Sequence, residues 1–109
     1  MIKHTSLVAL AALLGALASA AHAEDTLKVG IIATLSGPPA VLGQQLRNGF
    51  QLAVKDLGGK LGGREAEIFV ADDELKPDVA VTKVKSLIDR DKVEFVVGPI
   101  FSNSLGASR

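Results

Sequence analysis

The sequence contains no cysteine. Disulfide scaffolds, thiolate metal sites, cysteine nucleophiles and lipid attachment through an N-terminal cysteine are therefore excluded. Two histidines make a His-based metal site or catalytic triad nearly impossible. No excess charge of one sign exists either: twelve Lys plus Arg balance twelve Asp plus Glu, and beyond residues 1–23, which carry Lys3 alone, the formal charge is −1. Such a chain has no global basic field to attract nucleic acid or anionic lipid. Neither GxxxxGK[ST] nor GxGxxG is present, which removes the phosphate-loop motifs. At 109 residues the chain is one small domain or a piece of a larger one.

What is present begins with an export signal. Sixteen of the first 23 residues are apolar, so part of the chain's bulk hydrophobicity is a targeting feature. Lys3 and His4 form a short positive n-region, Leu7 to Ala18 an uncharged Leu/Ala h-region, and Ala21-His22-Ala23 an A-x-A cleavage site before Glu24. Ala18-Ser19-Ala20 also fits A-x-A, which leaves cleavage after Ala20 as the alternative. The apolar run is short of the roughly 20 residues a membrane span needs, so no stable anchor is expected. With no twin-arginine pair the Sec route is favoured, and with no cysteine to acylate the product is expected free in a bacterial periplasm.

After that segment the chain alternates strand and helix. Leu27 to Leu35 is an almost continuous apolar run with β-branched Val29, Ile31 and Ile32, the pattern of a parallel strand buried on both faces. Ser36-Gly37-Pro38-Pro39 breaks it. From Ala40 to Leu57 the positions Leu42, Leu46, Phe50, Ala53 and Leu57 recur at helical spacing and predict one buried helix face. Gly58-Gly59-Lys60-Leu61-Gly62-Gly63 reads as a helix C-cap plus turn. A second strand follows at Glu65 to Ala71, then a helix from Pro77 to about Arg90 with Ala80, Val84, Leu87 and Ile88 inward, then a third strand at Val93 to Val97. Gly98-Pro99 ends it, and Ser102-Asn103-Ser104 supplies cap residues for a further helix that the sequence, stopping at Arg109, leaves without room to form.

The fold class this predicts is α/β: a β-α-β-α-β start of a doubly wound parallel sheet, the second and third strands flanking the first. Ligands of such sheets bind at the carboxyl ends of the strands where the order switches, here between the first and third strands. The loops at that crevice are Ser36 to Gly43 and Gly98 to Ser104. Ser36, Ser102, Asn103 and Ser104 offer small neutral hydrogen-bonding groups there, and the amides opening the last helix point outward with positive polarity, which suits a carboxylate or phosphate. Helix capping alone is an equally good account of these serines. The Asp72-Asp73-Glu74 triplet is expected in a turn before the second helix, beside the second strand and away from the crevice; a metal or phospho-acceptor role is the less favoured account. No nucleophile has a base nearby, and no cofactor is expected.

Val29 to Gly43 (VGIIATLSGPPAVLG), Gly49 with Leu52-Ala53, Gly58-Gly59 to Gly62-Gly63-Arg64, Asp72-Asp73 followed by Pro77, and Val97-Gly98-Pro99 with Ser102 occur in one order. Together they resemble the amino-terminal part of a periplasmic substrate-binding protein of the leucine/isoleucine/valine-binding type, the receptor of branched-chain-amino-acid ABC transporters. The resemblance covers essentially all of the chain after the signal. It implies a type I binding-protein fold with two lobes closing on the ligand, of which residues 24–109 would be the amino-terminal part of lobe 1. It also implies that Ser102 meets a ligand carboxylate beside main-chain groups around Ile100 and Phe101, and that Leu42 stands at a pocket-wall position that is aromatic in some relatives. The expected function is extracytoplasmic solute binding for an ABC transporter, with a small carboxylated ligand and permease subunits as partners. A branched-chain or other apolar amino acid comes first, an aromatic or organic acid second. An exported α/β hydrolase-like enzyme and a sensory ligand-binding domain of the same fold are the alternatives.

The processed protein is expected to start at Glu24 and to fractionate with the periplasm. Intact-mass analysis checks this, and retention of residues 1–23 in a membrane fraction would overturn both signal and location.

Overall fold

The computed structural model describes residues 26–107, so the expected export signal lies outside the described residues. Within them the elements run β1 (Leu27–Ala33), α1 (Ala40–Asp56), β2 (Lys60–Leu61), β3 (Arg64–Asp72), α2 (Pro77–Asp89), β4 (Phe95–Val97) and α3 (Ser102–Ala107). The strand order is β2-β3-β1-β4. β1 pairs in parallel with β3 from Leu27↔Ala66 to Ala33↔Asp72, and on its other edge with β4 from Val29↔Phe95 to Ile31↔Val97. Both flanking partners predicted for the first strand are therefore in place.

A strand with neighbours on both edges and a helix over each face has little exposed surface. Val29, Ile31, Ile32 and Ala33 are buried accordingly, and an uninterrupted apolar run suits such a strand better than alternation. The chain moves from β1 to one neighbour and then back across to the other. Right-handed crossovers in opposite directions put α1 and α2 on opposite faces. Gly30 marks the α2 face, because a Cβ there would meet the Leu87 side chain at 3.1 Å.

The helices depart from the predicted faces. In α1 the buried residues are Gly43 and Val54, with Leu46 and Phe50 half-buried between them, whereas Leu42, Ala53 and Leu57 are exposed. The inward stripe thus runs one residue later than predicted, through Gly43 instead of Leu42 and Val54 instead of Ala53. Its cause is close packing: a Cβ on Gly43 would fall inside the van der Waals radius of the Thr34 carbonyl oxygen, so the helix approaches the end of β1 through a residue with no side chain. In α2, Ala80 and Leu87 are buried and Val84 half-buried, while Ile88 is 49% exposed and does not belong to the stripe.

The end of α1 is a Schellman cap, with Gly59 N donating to Val54 O and Gly58 N to Lys55 O. The glycine-rich stretch after it is more than a turn. Lys60 and Leu61 pair antiparallel with Glu65 and Arg64 across Gly62-Gly63, both at positive φ, as primed hairpin turns require. β4 is shorter than the predicted strand, although Glu94 N still donates to Lys28 O just ahead of it. At that same end of the sheet Arg64 reaches the Thr26 carbonyl and the Glu94 carboxylate, joining the starts of three strands. The last helix does form within the sequence: α3 covers Ser102–Ala107.

Replacing Gly43 by Ala in the intact protein is expected to cost about 1–3 kcal/mol, the usual range for overpacking. Gly49→Ala in the same helix, where a Cβ meets nothing, should be neutral or stabilising by up to about 1 kcal/mol. Urea unfolding midpoints of the two variants check the contrast.

Candidate functional site

The carboxyl ends of β1 and β4 are adjacent, and their connections leave toward opposite sides of the sheet. That arrangement opens a crevice at the strand ends, the place where open doubly wound sheets take ligands. One wall is the segment from Thr34 to Pro39 leading into α1, and the other is Gly98 to Phe101 leading into α3. Gly98 sits against β1 so closely that a Cβ would clash with the Ile32 carbonyl oxygen, and its φ of 98° is open to glycine alone.

The residues singled out from the sequence divide between these walls. Ser36 and Leu42 stand on the α1 side, both exposed, with Leu42 in the first turn of the helix. Ile100, Phe101 and Ser102 stand on the α3 side; Ile100 and Ser102 are exposed and Phe101 is half-buried. Leu105 N donates to Phe101 O, so Phe101 occupies the capping position and Ser102 is the first residue inside the helix. The predicted cap at Ser102 to Ser104 is corrected by that bond. Asn103 instead donates through Nδ2 to the Leu75 carbonyl at 3.3 Å, and Ser104 is fully buried. Ser102 alone of the three keeps an exposed hydroxyl without a hydrogen bond to the described residues. A second electropositive feature was not read from the sequence. α1 starts after Pro39 with no side-chain cap and no acid in its first turn; Ala40 N and Leu42 N are taken by Gly37 O and Pro39 O, so the electropositive character there comes from the helix start as a whole rather than from a row of open amides.

The acidic triplet is not remote from this crevice, as the sequence reading had placed it. Asp72 Oδ1 accepts from Leu35 N at 2.9 Å and from Glu74 N at 2.8 Å, with Ser36 beside the same carboxylate. Asp73 is fully buried, and its Oδ1 accepts from Thr34 Oγ1 at 2.5 Å and from Leu75 N at 2.9 Å. The two carboxylates thus fold the β3–α2 turn, holding Glu74 and Leu75 at φ of 53° and 56°, and they fasten it to the first residues after β1. Thr34 was missed by the sequence reading. The signal was in the register: with Ala33 level with Asp72, the next pair along two parallel strands is Thr34 and Asp73.

A hollow between β3 and α2, lined in part by Lys83, Ser86 and Arg90, measures about 150 Å³, below the roughly 300 Å³ at which small-molecule pockets begin.

For Asp72, burial raises the pKa, but the Leu35 and Glu74 amides, the Ser36 hydroxyl and the Lys83 charge together outweigh it and hold the group below its ordinary 3.8. A depressed carboxylate stabilises the fold fully above its unfolded value and ceases to do so as pH falls through the native value. Asp72→Asn is therefore expected to lower the unfolding midpoint most at neutral pH, with the gap to wild type narrowing below about pH 4; urea titrations across that interval check it.

Comparison with known proteins converges on one family. The profile described as periplasmic binding protein matches residues 26–109. The Leu/Ile/Val-binding protein BraC3 of Rhizobium johnstonii is 39% identical over 80% of this chain and 23% of its own length. Among solved structures, an ABC transporter substrate-binding protein from Sphaerobacter thermophilus superposes with a TM-score of 0.73 at 37% identity, covering 77% of this chain and 23% of that one. A solute-binding protein of an R. palustris ABC transporter, in complex with benzoate, gives 0.72 at 36%, covering 76% and 23%. The chain spans about a quarter of the length of the curated relatives it matches. Its parallel α/β sheet is the start of the type I binding-protein fold, and the chain belongs to the periplasmic binding protein family, with the leucine/isoleucine/valine-binding proteins as relatives.

Proposed function

We propose that this chain is the amino-terminal portion of lobe 1 of an extracytoplasmic solute receptor for an ABC transporter. Residues 1–23 act as the cleaved export signal, residues 24–109 begin the ligand-binding domain, and the mature protein works in the periplasm. It binds rather than transforms its ligand, and it delivers that ligand to permease subunits.

The ligand carries a carboxylate. The observation behind this is the exposed Ser102 hydroxyl, which has no hydrogen bond to the described residues, at a crevice that also holds the uncapped start of α1. A hydroxyl donor and outward amides recognise an anion without needing a cationic side chain. α3 has only six described residues and adds little dipole, so the Ser102 hydroxyl and single main-chain amides around Ile100 and Phe101 matter more than the helix as a whole. Leu42 and Phe101 supply apolar surface beside them, and the exposed Ser36, beside Asp72, lies on the opposite wall. A branched-chain or other apolar amino acid fits this description, as does an aromatic acid. The relatives named for leucine, isoleucine and valine and the one holding benzoate support that range. A single open shelf leaves most of a ligand in water, so closure by a second lobe completes the site.

In the full receptor, Ser102→Ala is expected to weaken binding by about 1–3 kcal/mol, the range for a hydrogen bond to a charged group. Leu42→Tyr should change preference among apolar side chains more than recognition of the carboxylate. Calorimetry against leucine, isoleucine, valine and benzoate reads both, and an unchanged dissociation constant for Ser102→Ala would remove that residue from the site.

A further inference from the structure

The least expected feature of the described residues is a buried polar pair. Thr34 and Asp73 have no accessible surface, and Asp73 Oδ2 has no hydrogen-bond partner among the described residues. Burying a carboxylate oxygen without a partner is costly, and two apolar side chains of similar size would join these strand ends at lower cost. A polar pair retained at that cost contributes direction, because a hydrogen bond fixes angles that an apolar contact leaves loose.

What it directs is readable from its neighbours. Thr34 lies one residue before Leu35, whose amide is held by Asp72, so the crevice wall at Ser36 starts from a fixed point. On the other side Asp73 Oδ1 also accepts from Leu75 N, and Asp73 O accepts from Lys76 N. These bonds hold Leu75 in the left-handed region, which an ordinary side chain occupies only when its surroundings impose it. The Leu75 carbonyl so oriented accepts from Asn103, the residue after Ser102. A continuous series of bonds thus runs from the end of β1 through the β3–α2 turn to the start of α3. The loop bearing Ser102 is fixed at its other end by Gly98 against Ile32.

We propose that Thr34 and Asp73 are positioning residues for the ligand loop, setting the placement of Ser102 relative to the β1 wall of the crevice without touching the ligand. The ligand-dependent part of this proposal rests on the receptor function above.

The test uses the intact receptor with Thr34→Val, which keeps the shape and deletes the donor, and Thr34→Ser, which keeps the donor. Binding of leucine and benzoate is measured by calorimetry well below the melting temperature of every variant. Thr34→Val is expected to bind about tenfold more weakly, with Thr34→Ser within about threefold of wild type, the difference between losing and keeping the hydrogen bond to Asp73. In the double variant with Ser102→Ala, the combined weakening should be clearly less than the product of the two single effects, because a displaced serine has less left to lose. A lower melting temperature with unchanged affinity would reduce the pair to a structural role, and fully multiplicative effects would disconnect it from Ser102. Should wild type bind none of the carboxylates, the receptor reading falls. The positioning is then judged without ligand, by amide hydrogen exchange at residues 100–103. Exchange faster in Thr34→Val than in Thr34→Ser sustains the proposal, and equal exchange in the two overturns it.

Discussion

β1 has to satisfy its backbone through other strands and the residues flanking them, because its faces are covered by helices and both its edges are paired. Every buried amide and carbonyl needs a partner, and here the partners come from segments far along the chain on both sides. This single demand sets the rest of the architecture. Strands running parallel to β1 need long connections, the connections are helices, and right-handed crossing puts one helix over each face. The same demand exposes the strand ends, where pairing stops and the two loops separate. A crevice at that place is a by-product of closing the sheet around β1.

Close approach then decides which residues can stand near those ends. Gly43 and Gly98 both lie against carbonyl oxygens of β1 or its extension, one from the helix side and one from the loop side. The crevice walls are therefore set at backbone-contact distance, while side chains that could meet a ligand stand further out. Polar ties complete the frame: Asp72 gathers amides from two segments and Asp73 receives the Thr34 hydroxyl. The parts that face solvent at the crevice, Ser36, Ile100 and Ser102, are carried by backbone held from behind.

Much of this was legible in the sequence. The unbroken run LKVGIIA reads as a strand buried on both faces because no polar residue but Lys28 interrupts it, and the loops at its carboxyl end locate the site once the strand order is inferred. Hydrophobic spacing misplaced the inward faces at Leu42, Leu57 and Ile88; in α1 the reason is that periodicity counts side chains and cannot register a helix that packs through a glycine. The two-residue strand β2 has no period to detect, although Gly62-Gly63 carried the turn signal. Thr34 and Asp73 escaped for the opposite reason. Short polar residues at strand ends are ordinarily exposed turn formers, and only the parallel register brings these two together.

The pairing of β1 with β4 also has a meaning in time. Lys28 O waits for the amide of Glu94, sixty-six residues later, and until that segment exists one whole edge of β1 is open. At about 5–20 residues per second, several seconds of synthesis separate the two. During that interval the stretch from Leu27 to Ala33 is an apolar β-former with unpaired backbone, the kind of segment that joins another chain if left uncovered. Whatever handles the nascent polypeptide must therefore shield its first strand for the longest period of all, so the most protected part of the finished sheet is the most vulnerable part of the growing one.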